Sequence, residues 1–144
     1  MNVRRSIGFG LLAIVMATLC VACAHHEDWE PGSLYSVGGD DGTFAVVKVL
    51  ARDSGVVSVR LYREKFPARP SRIDPARLSL GQVGDAEGFG IGHLPLAERD
   101  FVLWFPVLIQ KGTVSGDEME GYRIWKESGA VAFSSPPSEA ADAD

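Results

Sequence analysis

Two β-branched runs set one turn apart constrain this chain more than any other feature. Thr43 to Leu50 carries Phe44, Val46, Val47 and Val49. Val56 to Arg63 alternates, with Val57, Val59 and Leu61 on one face and Ser58, Arg60 and Tyr62 on the other. That period of two belongs to a strand. Between the runs lies Arg52-Asp53-Ser54-Gly55, a turn-forming sequence. The pair is expected to form an antiparallel hairpin.

The flanking chain extends this β pattern. Leu34 to Val37 reads as a short strand, followed by the turn signal Gly38-Gly39-Asp40-Asp41-Gly42. Phe66 to Pro75 is proline-rich and reads as a loop. Asp74 is placed to cap one helical turn, with Pro75 at its first position. Leu78 to Leu80, Ile91 to Leu96 and Val107 to Gln110 read as further strands. Pro95 to Trp104 fits two patterns: Leu96, Phe101 and Trp104 have roughly helical spacing, whereas Val102 to Phe105 reads as extended.

Ser115 to Glu127 is the best helix. Ser115 and Glu118 match a capping box, in which hydroxyl and carboxylate satisfy free backbone N–H groups. Asp117, Glu118 and Glu120 suit the positive end of the helix dipole, and Lys126 the negative end. Met119, Tyr122 and Trp125 recur on one face, and Gly129 suits the stop. Val131 to Phe133 is placed for a last β contact. The expected fold is mainly β (α+β), a small partly open β-barrel of five or six strands with one C-terminal helix. This domain is expected over residues 33–133, with a disordered tail over 134–144.

The N-terminus has a different character. Arg4 and Arg5 precede an apolar run from Ile7 to Leu19. That run is short of the roughly 20 residues that cross a bilayer, so it reads as a secretory signal. Its end, Leu19-Cys20-Val21-Ala22-Cys23, resembles the lipobox of bacterial lipoproteins, although Cys20 stands where leucine is usual. The resemblance implies a signal peptide over residues 1–22, diacylglycerol on the Cys23 thiol, and a lipidated tether over residues 23–32. The membrane is then a partner through the lipid on Cys23. Two or more fatty chains hold a protein stably where one does not. The alternative is an ordinary cleaved signal, or an uncleaved anchor. Ala24, where an aspartate resembles an inner-membrane retention signal, favours the periplasmic face of the outer membrane if the cell is Gram-negative. The expected location is the cell envelope.

Charge and motifs exclude several classes. Removing residues 1–22 leaves 12 basic residues (14 less Arg4 and Arg5) against 19 acidic ones. An acidic chain is a poor nucleic-acid binder, and none is expected as a partner. No P-loop, G-x-S-x-G elbow or H-E-x-x-H is present. Gly88, Gly90 and Gly92 lack the strand-then-helix setting of a dinucleotide site and read as a turn or bulged strand. No cofactor is expected.

Four groups of residues have the chemistry of a site. His25, His26, Asp28 and Glu30 have metal-ligand chemistry, but a solvated tether lacks the surrounding shell that fixes ligands, and no metal is expected. His93 would need a partner acid, such as Asp85 or Glu87; the plainer reading is a ring hydrogen-bonded at a strand end. Trp29, Tyr35, Tyr62, Trp104, Tyr122 and Trp125 are either a binding face or core and core-edge residues. Arg60, Arg63, Lys65, Arg69, Arg72 and Arg77 form the best candidate binding patch, opposed locally only by Glu64 and Asp74. Guanidinium forks suit carboxylates and phosphates, so an acidic protein, lipid headgroups and an envelope polymer are the candidate partners. The competing reading pairs these cations with the chain's own acids, or has them protect a strand edge.

From Trp29 onward, Trp-Glu-Pro-Gly, Gly-Thr-Phe-Ala-Val-Val-Lys-Val-Leu, Val-Arg-Leu-Tyr, Gly-Ile-Gly-His-Leu-Pro-Leu and Glu-Gly-Tyr-Arg-Ile-Trp-Lys-Glu follow one another. This pattern resembles a group of small uncharacterised bacterial proteins. Its opening half is also similar to β-rich immunity proteins of polymorphic toxin systems. Neither resemblance supplies catalytic residues, so no catalytic residue is assigned. The expected function is that of a lipid-anchored, non-enzymatic interaction module. The alternatives are an immunity-like inhibitor of a toxin and a small envelope enzyme using His93.

Overall fold

The computed structural model describes residues 28–134. The residues that carry the signal-like pattern, His25 and His26, and the tail from Ser135 onward lie outside the described residues. Five strands form one antiparallel sheet: β1 (Leu34–Gly38), β2 (Phe44–Asp53), β3 (Val56–Phe66), β4 (Ile91–Ala97) and β5 (Val107–Gln110), in the order β4-β3-β2-β1-β5. The expected α+β class and strand-rich architecture are therefore present, with five strands. The sheet is open, with β4 and β5 at its edges.

Local chemistry explains the hairpin. Asp53 pairs with Val56 across Ser54 and Gly55, whose φ values of 46° and 84° are both positive. Two positive φ values in a two-residue loop are the type I′ pattern, whose twist matches that of the flanking strands. Register shifts interrupt the β2–β3 and β3–β4 ladders. Such bulges bend strands and add twist, so long strands curl over a core.

Both faces of the sheet are covered. On one, Val37, Val47, Val49, Val57, Val59 and Leu96 pack beneath Trp29 and Phe101. Phe101 lies in the short helix α1 (Glu98–Val102) and meets the Trp29 ring edge-on at 4.8 Å. Trp29 is only 3% exposed and belongs to this core. The core-face strand residues agree with the alternation read in the sequence.

The second face carries Ser58, Tyr62 and Lys48, and α2 (Glu120–Ser128) packs across β4 on this side. Its capping box forms as expected: Ser115 N–H donates to Glu118 Oε2 at 2.8 Å, and Glu118 N–H to Ser115 Oγ at 3.4 Å. The first turn, Asp117–Met119, is a 3₁₀ helix. Lys48 Nζ meets both Glu118 carboxylate oxygens at 2.9 Å in a largely buried pair. Lys126 pairs with Asp53 at the hairpin end. Tyr122 and Trp125 flank His93, and Gly129 ends the helix at φ 66°.

Four local expectations are resolved. Asp74 caps the 3₁₀ turn Pro75–Arg77 by accepting from Ala76 N–H. Phe133 makes a parallel bridge to Leu96, the anticipated last β contact. Leu78–Leu80 forms no strand. Its backbone is used singly instead, Ser79 O accepting from Arg63 N–H and Leu80 O from Gly90 N–H, while the Glu64 carboxylate takes Ser79 N–H. Pro95 to Trp104 divides, extended through Ala97 and helical from Glu98.

Candidate functional site

The end of β3 and the chain from Ile73 to Leu78 line a half-open cavity of about 450 Å³. Phe66, Ile73 and Leu78 supply its apolar lining, and Arg63, Lys65, Arg77, Glu64, Asp74 and Glu87 its charged one. Three of the six cations singled out from the sequence thus meet at one site. The apolar members were not singled out. Their only signal is that Ile73 and Leu78 flank the capped turn that folds back on β3.

The charges here are mostly committed. Arg63 Nη1 bonds Asp85 at 2.9 Å, and its other nitrogens lie 3.6 Å from Glu64 and Glu87. Burial pushes the Glu64 carboxyl up, but bonds from the Ser79 N–H and hydroxyl, with Arg63 beside it, hold it below its ordinary value overall. Lys65 pairs with Asp41 at 3.0 Å. Asp41 also accepts from the Thr43 hydroxyl and N–H, and these bonds hold its carboxyl far below the usual range. Arg69 lies apart from the cavity. It binds the Ser36 carbonyl and hydroxyl and the Phe105 carbonyl, each at 2.9 Å, and stacks 4.7 Å from the Phe44 ring centre.

The six cations therefore have different surroundings. Arg63, Lys65 and Arg69 are engaged within the chain, by Asp85, by Asp41 and by the Ser36 and Phe105 carbonyls. Arg60 is half-buried near Tyr62, while Arg72 and Arg77 are exposed; none of these three guanidinium groups has a side-chain hydrogen bond or ion pair among the described residues. Arg77 is the one that also lines the cavity. An exposed guanidinium above an apolar lining can accept a carboxylate whose neighbouring carbons fill the floor.

The other candidates resolve differently. His93 Nε2 sits 3.2 Å from Ser58 Oγ, and burial pushes its pKa down. Ser58 is 1% exposed, too enclosed to meet a substrate, and no carboxylate contacts the ring among the described residues. Asp85, offered as its acid, binds Arg63, and Glu87 approaches the same guanidinium. Of the tether cluster, Asp28 pairs with Arg52 and Glu30 with Lys111. Among the aromatics, Trp29 and Tyr35 are core residues, Trp104 is half-buried against the core, and Tyr62, Tyr122 and Trp125 are half-buried on the opposite face of the sheet. No family model, curated protein or solved structure matches this chain.

Proposed function

We propose that this chain is a lipid-anchored protein of the cell envelope whose folded body binds an acidic protein segment in the Arg77 cavity. The anchoring half of the reading comes from Leu19 to Cys23 and the resemblance to a lipobox. The binding half is carried by one observation: Arg77 is exposed and without a side-chain partner among the described residues, beside an apolar lining of Phe66, Ile73 and Leu78. A protein segment offers a carboxylate and aliphatic carbons together, which suits this lining better than an envelope polymer does. The rim acids Asp74 and Glu87 repel a uniformly anionic chain and tolerate a single carboxylate placed at Arg77.

The test is capture from envelope extracts by the full chain and by Arg77→Glu. Wild type is expected to retain a partner that Arg77→Glu loses. Arg60→Ala, away from the cavity, is expected to retain it. Equal recovery by all three removes the cavity from the function.

A further inference from the structure

We infer that β5 and the Phe105 turn before it form a bilayer-contact edge, resting on anionic lipid headgroups beside the anchor. This inference rests on the lipid-anchored reading above.

The first observation is a bare apolar edge. Residues 102 to 109 carry no charge. Phe105 is 71% exposed, Val107 50% and Leu108 48%. Sheet edges are ordinarily blunted by charge or covered. The opposite edge is bridged at its end: Phe133 N–H donates to Pro95 O, and Ala97 N–H to Phe133 O. Phe105 also takes φ 50°, an unfavourable conformation for an aromatic residue. Its ring stands in solvent while Arg69 grips its carbonyl.

The second observation is charge. Arg72 lines a shallow cavity with Ile109 and Gln110 of β5, and its guanidinium has no ion pair among the described residues. Ile73 N–H donates to Gln110 Oε1 at 3.1 Å, which holds this segment against the strand. An apolar stripe bordered by an available cation is the composition of an interfacial surface.

The third observation is position. Lys111, which follows β5, pairs with Glu30 at 2.8 Å, so the strand ends where the chain enters the fold. The stretch from Cys23 to Glu30 spans at most about 25 Å when extended. A lipid on Cys23 therefore keeps β5 within reach of the membrane surface. The unpaired backbone of an edge strand needs water, so only the side chains enter the interface and the strand stays at headgroup level.

The test uses the full chain extracted from membranes and reconstituted into phosphatidylcholine vesicles with or without phosphatidylglycerol. Hydrogen exchange is followed over residues 102–110, and intact mass is measured on the same sample. Exchange is expected to slow when phosphatidylglycerol is present. Arg72→Ala is expected to lose about fivefold of that protection, the worth of one cation near an anionic surface. Phe105→Ser is expected to lose it with an unchanged urea midpoint. Lipid on Cys23 with equal exchange in both vesicles overturns the contact edge and leaves the anchor standing. A mass without lipid overturns both. Protection that follows protein concentration rather than lipid charge assigns the edge to a second copy and overturns the inference.

Discussion

Arg69 holds Phe105 from across the sheet: its Nη2 donates to the Phe105 carbonyl at 2.9 Å while Nη1 serves the carbonyl and hydroxyl of Ser36. One guanidinium thus ties the proline-rich loop to β1 and to the turn that starts β5. Ser36 is buried, so removing the donor strands its acceptors away from water. Arg69→Ala is expected to cost about 2–3 kcal/mol in urea unfolding. Arg69→Lys should recover less than half, because an ammonium cannot reproduce the fork. Arg72→Ala should stay within about 0.5 kcal/mol of wild type.

Helix α2 docks through a glycine. A Cβ on Gly121 would lie 2.5 Å from His93 Cβ. Alanine in a helix interior gains about 1 kcal/mol over glycine, whereas overpacking costs about 1–3 kcal/mol. The clash should win, so Gly121→Ala is expected to lower stability by about 1 kcal/mol. Gly116 has helical φ and ψ, and a Cβ there meets nothing within 4 Å. Gly116→Ala is therefore expected to be neutral or to stabilise by up to about 1 kcal/mol. Paired thermal melts of the two variants separate packing from propensity.

Glu118 links helix docking to pH. Burial pushes its carboxyl up, but the Ser115 N–H and the Lys48 ammonium pull it below the ordinary value overall. A carboxylate depressed by folding adds stability above its unfolded pKa, near 4.5, and loses it as pH falls through the lower folded value. Glu118→Gln should flatten stability against pH in that acid window. Lys48→Ala, which leaves the carboxylate enclosed, should cost about 3 kcal/mol at neutral pH.

His93 acts in a higher window. Burial lowers its pKa from 6.5, so the unfolded chain takes up a proton before the folded one does. Stability is therefore expected to fall as pH drops below 6.5, levelling off beneath the folded pKa. An NMR titration of the ring should give a midpoint below 6.5. A midpoint above it contradicts the packed, neutral ring between Tyr122 and Trp125.

What could be read from the sequence was what neighbours in sequence decide. Ser54-Gly55 and its flanking valines specify a hairpin, Ser115 and Glu118 a helix start, and Asp74-Pro75 a capped turn. The fate of the basic stretch was not local. Lys65 finds Asp41, Arg63 finds Asp85, and Arg69 finds Ser36 and Phe105, all distant in the chain. Leu78 to Leu80 has strand composition, yet Glu64 claims one of its N–H groups, so no ladder forms. Val107 to Gln110 was legible as a strand, but its place at a bare edge depends on pairing with β1. The cavity is likewise made by folding, since Phe66 and Leu78 meet only after the chain turns back at Pro75.

The most direct measurement is the intact mass of the full chain after extraction from membranes of the producing cell. A chain that starts at Cys23 and carries the added mass of its acyl chains is the expected result. An unlipidated chain, or one cut elsewhere, contradicts lipid anchoring and the headgroup contact built upon it.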